Sequence, residues 1–491
     1  MAQGVRMSTH HPAFPTGTAK GKAGWCVPAR FARALAMLVL AAGLYGTPAF
    51  PVDKQASGGA AAEPQSESLW NRGTLTGSWA GVRTQLETAG IKLSVQEQSE
   101  VWANLTGGGR TGTAYDGLTT ASLTVDLART WGWTGMTFFV NAFQIHGRGP
   151  STILVENQQL VSNIEATPST KLYNLWIESQ LLGDRLNIRI GQEGANDEMM
   201  LGPSAAPFLN SSLGFPDWLA QNLPSGGPNY PLATPMVRAR LQVTDQWTLV
   251  GAAFNGDPAG PGPGDPQTRD RSGTAFRLQD PVLSFVELWY TVGQGAESRW
   301  LPGIYKIGAF YHAGVFEDQA RDGLGHSLAD PTSSGIARRY RGNYAFYGII
   351  SQRLWRIPET KERGLSIFGL VMGGPDGRNR ENVYLEGGLR WKGVIASRSK
   401  DVFGLAVAHA RTSNALRRLG AEMATHTGTS NNVRPHETVI EVTYLYQITP
   451  WWSVQPDLQG VFNSGAALSS SLHIPPLQHS LTIGTRTKID F

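Results

Sequence analysis

From Ile91 to the end of the chain, apolar and polar residues alternate with a period of two. Ile91, Leu93 and Val95 stand against Lys92, Ser94 and Gln96, and Leu186, Ile188 and Ile190 against Asn187, Arg189 and Gln192. The last segment is the clearest, with Leu477, Leu481, Ile483, Ile489 and Phe491 against Gln478, Ser480, Thr482, Arg486, Lys488 and Asp490. Strict alternation means strands whose two faces meet different surroundings. About sixteen such segments can be placed, beginning near residues 91, 117, 136, 171, 185, 236, 246, 282, 304, 342, 364, 382, 401, 436, 451 and 478. Most run for roughly 9–13 residues, the length with which a tilted strand crosses a bilayer. A soluble sandwich would alternate in the same way, so the connections must decide.

Those connections alternate between short and long. Short turns fall at residues 129–135, 183–184, 245 and 448–450, and long stretches at about 147–170, 193–235, 255–281, 314–341 and 412–435. Outer-membrane barrels have this asymmetry, with short periplasmic turns and long extracellular loops, whereas a sandwich or propeller has no reason for it. Tryptophan agrees. Of the fourteen tryptophans after residue 49, eight lie in or beside the short turns: Trp131, Trp133, Trp247, Trp300, Trp355, Trp391, Trp451 and Trp452. Indole prefers the headgroup zone, so one rim carries an aromatic girdle. The pattern predicts an all-β fold, a transmembrane antiparallel β-barrel of about 16 strands over residues 91–491, with both termini on the short-turn side.

Composition changes this picture little. Mean hydropathy is -0.21, and no run of eighteen apolar residues follows residue 50, which excludes an ordinary membrane-spanning helix. Residues 1–49 read as a signal peptide: Arg6, Lys20, Lys22, Arg30 and Arg33 precede the apolar run at 34–46, and cleavage is expected near Ala49 or, alternatively, Ala62. Taking those five from the 42 Lys and Arg leaves 37 against 38 Asp and Glu. The pI of 9.1 is therefore no sign of nucleic-acid binding, and the single cysteine, Cys26, departs with the signal. Residues 50–77 read as a flexible linker. Residues 78–90 read as a short periplasmic helix, capped by Ser78 and ended by Gly90, with Trp79, Val82, Leu86 and Ala89 on one face. That face packs on the barrel rim or meets a partner.

A barrel of sixteen strands is too wide for side chains to fill. Selection then needs a narrowing, and residues 193–235 are the candidate constriction loop. The segment carries Glu193, Asn196, Asp197 and Glu198, then Pro203, Pro207, Pro216, Pro224, Pro228, Pro231 and Pro235, which stiffen it. A loop of this length has a function, either folded inward or displayed at the cell surface. The candidate pore-lining and substrate-binding residues are Trp176, Glu178, Arg189, Glu193, Asn196, Asp197, Arg238, Arg240, Glu287 and Lys306. Lys92, Glu100, Asp126, Glu386 and Arg390 are further lumen candidates. A ring of one sign would select ions, whereas mixed charge with many amides and hydroxyls suits a neutral polyol or a generic wet lumen. Trp176 offers a stacking face to a sugar or packs toward lipid or rim. An enzyme finds no support: G-x-S-x-G, HExxH, a P-loop and a cysteine nucleophile are all missing, and His146, His312, His409, His436 and His473 are scattered. No cofactor or metal is implied.

The segments LTGSWAGVRTQLETAGI (75–91), RIGQEGANDEMM (189–200), YPLATPMVRAR (230–240), LPGIYKIGAFYHAG (301–314) and TYLYQITPWWSVQPDLQ (443–459) together resemble the carbohydrate-selective outer-membrane porins of the OprB type. The likeness runs from about residue 69 to Phe491; Ser78 stands where that family tends to have an acidic residue. The resemblance implies a sixteen-stranded barrel in the bacterial outer membrane for passive uptake of glucose and related sugars. Its expected partners are membrane lipid, neutral sugars and the barrel assembly machinery, which would read the terminal strand ending in Phe491. The alternatives are a general diffusion porin and a surface receptor or adhesin.

Overall fold

The computed structural model describes residues 68–294, 298–357, 360, 363–428, 433–465 and 477–491. The expected signal peptide, most of the linker, Cys26 and His473 lie outside them. Sixteen antiparallel strands run in chain order: β1 (Ile91–Gly108), β2 (Gly112–Asp126), β3 (Met136–Arg148), β4 (Ser169–Leu181), β5 (Leu186–Glu193), β6 (Thr234–Gln242), β7 (Trp247–Asn255) and β8 (Val282–Val292), followed by β9 (Gly303–Asp322), β10 (Ala337–Arg356), β11 (Gly364–Gly373), β12 (Glu381–Lys392), β13 (Val402–Thr412), β14 (His436–Thr449), β15 (Trp452–Phe462) and β16 (Gln478–Asp490). Each pairs with its chain neighbours, and β1 pairs with β16, so the sheet closes into a barrel. Closure leaves no unpaired edge amides in hydrocarbon.

Alternation along the strands carries through to the two sides of the wall. On β14, Glu437, Glu441 and Thr443 are buried inside while Ile440 and Val442 are exposed outside; on β9, Lys306 and Phe310 are buried and Ile307 is exposed. No described helix is long and apolar enough to cross a membrane; the strands do so. At the short-turn end aromatic rings pair: Trp131 with Trp133 at 6.0 Å, Trp247 with Tyr290 at 4.7 Å, Trp355 with Trp391 at 6.2 Å and Trp451 with Trp452 at 6.0 Å. All of these but Tyr290 belong to the girdle expected from the sequence.

Four local readings need correction. Half of the stretch 314–341 is strand, because β9 and β10 are each 20 residues long and only residues 323–336 connect them. This hairpin outruns the apolar band, and outward Glu317 and Arg339, 65% and 69% exposed, hide the alternation. Strand β2 likewise begins early, at Gly112. The N-terminal helix spans Val82–Thr88 and starts at Gly81, with φ of 91°, a conformation that favours glycine; Ser78 forms no side-chain cap. Its backbone oxygen instead accepts the N–H of Gly81 at 3.0 Å. Asp126 does not serve the lumen: its carboxylate accepts the N–H groups of Ala128 and Arg129, capping a short helix, Leu127–Trp131, in the β2–β3 turn.

Candidate functional site

The connection between β5 and β6 runs across the barrel interior. Leu209 and Asn210 donate their backbone N–H groups to Glu441 on β14 at 2.7 and 2.9 Å, and Gly214 donates to Glu386 on β12 at 3.0 Å. Met200 donates to Glu287 on β8 at 2.7 Å. Ser204 meets Ser351 on β10, and Gln455 on β15 donates to the Pro207 carbonyl, both at 2.6 Å. Apolar packing joins these bonds. Phe208 lies against Phe368 at 5.4 Å and Trp218 against Phe310 at 5.2 Å, with Phe208, Trp218 and Leu219 wholly buried. A fully buried large apolar side chain contributes about 1.5–3 kcal/mol. The wall leaves room through small inward residues, Gly404, Ala406 and Ala408. The β3–β4 connection also turns inward: Gln158 and Gln159 donate N–H groups to Glu437 at 3.2 and 2.8 Å.

A charged cluster lies where the loop leaves the wall. Glu178, Arg189 and Arg238 are direct cross-strand neighbours on β4, β5 and β6, so their side chains share the inner face. Arg189 pairs with Glu178 at 2.7 Å, Glu193 at 2.6 Å and Glu198 at 2.7 Å. Arg238 pairs with Glu178 at 2.9 Å and Glu198 at 3.0 Å, and Arg240 with Glu198 at 2.9 Å. Three guanidiniums thus balance three carboxylates. Arg238 is fully buried and also bonds Asn187, whereas the Arg240 side chain is 37% exposed to the lumen. Cation–π contacts extend the cluster: Trp289 on β8 carries Lys306 at 4.1 Å and Arg240 at 5.3 Å, and its N–H donates to Glu287.

All ten candidate residues from the sequence stand on this side of the lumen. Asn196 accepts from Tyr173 Oη at 2.8 Å and from the Tyr230 N–H at 3.0 Å, and Asn174 donates to Asp197 at 2.7 Å. Burial pushes the Asp197 carboxyl up to about 6, against the Asn174 hydrogen bond. Trp176 points inward, between the Arg189 guanidinium at 3.9 Å and the Phe139 ring at 4.9 Å. It therefore braces Arg189 on the inner face and does not point toward lipid. Sequence reasoning left Glu198 outside the site and overlooked Trp289, Tyr173 and the opposite-wall carboxylates Glu437 and Glu441. Strand parity marks the last two as inward; their loop partners have no local signature. The second inward connection, 149–168, was also unforeseen.

A closed barrel of sixteen strands, greasy outside and polar within, its lumen narrowed by its own loops, is a porin of the Gram-negative outer membrane, a channel rather than an enzyme. The description "Carbohydrate-selective porin, OprB family" matches residues 110–491, and the chain belongs to that family. It is 23% identical over 427 residues to Porin B of Pseudomonas aeruginosa, covering 83% of this chain and 90% of that protein. To the putative porin QuiX of Acinetobacter baylyi it is 24% identical over 429 residues, covering 80% and 90%. The high-pH structure of Pseudomonas putida OprB shares the fold, with a TM-score of 0.76 at 20% identity over 87% of this chain and all of that one.

Proposed function

We propose that this porin passes glucose-sized neutral sugars by passive diffusion, and that residues 193–235 form its constriction. The observation that carries the reading is the balanced Arg–Glu cluster beside the inward loop. Within it the Arg240 guanidinium is the most open to the water-filled side, at 37% exposure, with Glu178 at 16% and Arg189 at 13%, so donors and carboxylate lone pairs meet the lumen there, and a polyol has hydroxyls for both. Matched charge keeps the passage from selecting one sign of ion. Trp289 and Arg240 offer an apolar and a polar surface side by side, which fits the two faces of a pyranose. Strand β16 with the following Phe491, whose N–H donates to the Val95 carbonyl at 2.9 Å and whose carbonyl accepts from Arg83 at 2.8 Å, is the segment we propose the barrel assembly machinery reads.

The test is reconstitution in planar bilayers and liposomes. Glucose is expected to reduce ion conductance in a saturable way and to enter liposomes faster than an amino acid of equal size. Equal entry of the two would make this a general diffusion porin, and no channel at all would remove the reading.

A further inference from the structure

The β9–β10 hairpin carries its outward residues through the apolar band and beyond it. On β10 the buried Ala345, Tyr347 and Ile349 face the lumen, so Tyr344, Phe346 and Ile350 face out, each exposed. Tyr311 on β9 stands opposite Tyr344, Val315 opposite Arg341 and Glu317 opposite Arg339, and Tyr311 and Val315 are exposed as well. Arg339 and Arg341 therefore share the outer face with the two tyrosines. Gln352, lower on that face, accepts from the Tyr305 hydroxyl at 2.7 Å and donates to the Leu301 carbonyl in the short turn at 3.2 Å. From Gln352 the strand climbs about 20 Å to Tyr344 and about 25 Å to Arg341, at roughly 3.3 Å per residue and a tilt of about 40°. The apolar band of such a barrel is about 25 Å tall, with aromatic residues at its edges. The tyrosines thus mark its extracellular edge, and the arginines stand just above it.

The charge at this edge is one-sided. Arg341 is exposed and has no hydrogen-bond or ion-pair partner among the described residues. Arg339 meets Glu317 at 3.7 Å with both side chains mostly exposed, a pair that holds it weakly. Arg378, from the β11–β12 connection, donates to the Gly342 carbonyl at 2.5 Å, and its guanidinium lies 4.5 Å from the Tyr340 ring and 5.9 Å from the Tyr344 ring. Three guanidiniums here meet one carboxylate, whereas the cluster in the lumen is balanced. Below them the wall is apolar. Ile307, Gly348 and Val371 are cross-strand neighbours on the outer face, and the glycine between two exposed side chains leaves a furrow.

We infer that the outer face of the β9–β10 hairpin is a binding site for lipid A, the phosphorylated glycolipid of the outer leaflet. Arg339, Arg341 and Arg378 take its phosphates, since the guanidinium fork matches phosphate oxygens two at a time. Tyr311 and Tyr344 stand level with its glucosamine units, where a ring that is apolar with a polar tip is at home. The furrow over Gly348 receives an acyl chain. Basic residues at a membrane surface attract anionic headgroups, and the unpaired Arg341 leaves that attraction uncancelled. The inference is independent of which solute the pore passes.

The experiment adds lipid to the whole porin, extracted in detergent and stripped of bound lipid, and reads retention by native mass spectrometry. The probes are diphosphoryl lipid A, the same lipid without its phosphates, and phosphatidylglycerol. Diphosphoryl lipid A is expected to bind at least tenfold more tightly than either of the others. Arg339→Gln with Arg341→Gln is expected to weaken it at least tenfold, with heat-dependent gel mobility and glucose entry unchanged. Arg271→Gln with Arg417→Gln removes the same charge from other loops and is expected to leave it unaltered. Equal binding of the three lipids, or equal binding by the two double variants, would overturn the inference. The comparison of lipids on the unaltered chain holds even if a variant does not fold.

Discussion

The Leu209 backbone N–H donates at 2.7 Å to the carboxylate of Glu441, although Leu209 belongs to the loop after β5 and Glu441 to β14. The same carboxylate accepts from Asn210 at 2.9 Å and is itself fully buried. A buried carboxyl acceptor thus holds the loop where no water replaces it. Glu441→Leu leaves two buried donors unpaired, each costing about 1–3 kcal/mol. Faster amide exchange at residues 209 and 210 and a larger single-channel conductance are expected; unchanged exchange would show that apolar packing alone holds the loop.

Arg238 and Arg240 share Glu198 yet differ in surroundings. Arg238→Leu leaves Glu178 and Glu198 short of a partner inside the wall, a loss of about 3–5 kcal/mol by analogy with broken buried pairs. Arg240 is 37% exposed, so Arg240→Ala costs under about 1 kcal/mol while weakening sugar block of the current. Arg240→Glu is expected to move the reversal potential toward cation preference. Denaturant unfolding and bilayer recordings on the three variants separate the effects.

Glu165, in the β3–β4 connection, is 6% exposed and accepts the Ser151 N–H at 3.1 Å. Burial pushes its carboxyl from 4.5 up to about 7, with the Ser151 hydrogen bonds acting in the other direction. The packed loop therefore holds this proton more tightly than an unpacked one. Its stability is highest below about pH 4.5 and falls by roughly 1.4 kcal/mol per pH unit until the packed group ionises near 7. Exchange protection of residues 149–168 is expected to decline across that window. Glu165→Gln removes this contribution, so a decline of the same size in that variant would assign it to another group.

Gly404 on β13 makes space for the loop. A Cβ there would lie 2.9 Å from Phe208 Cε1 and Cζ and 3.0 Å from Thr443 Cγ2. Gly404→Ala is expected to destabilise the packed loop by about 1–3 kcal/mol through overpacking. The wall itself remains closed, so the variant still inserts as a heat-modifiable barrel. Current noise from loop motion is the measurement; a quiet channel of native conductance would contradict the packing argument.

The strand pattern was legible because it is local. A chain with lipid on one side and water on the other must alternate every residue, and Ile188 and Ile190 beside Arg189 show that alternation without reference to the rest of the fold. The inward parity of Glu178, Arg238 and Arg240 follows from the same pattern. Local parity sends a side chain inward without choosing what it meets there. Pairing Arg238 with Glu178, 60 residues away, depends on the register of three strands. Pairing it with Glu198 depends on a loop entering the lumen, which happened because buried carboxylates on distant strands and small residues on β13 together offered that loop donors' partners and room. Where a strand rises beyond the apolar band, as in the outer halves of β9 and β10, outward Glu317 and Arg339 are as polar as inward Asp318 and Asp322, so the sequence alternation is lost and only the paired hairpin revealed their length. The sequence by itself determined a membrane barrel with a polar interior. Closure of the sheet, which is long-range, decided which charges neutralise one another and how far the interior is filled.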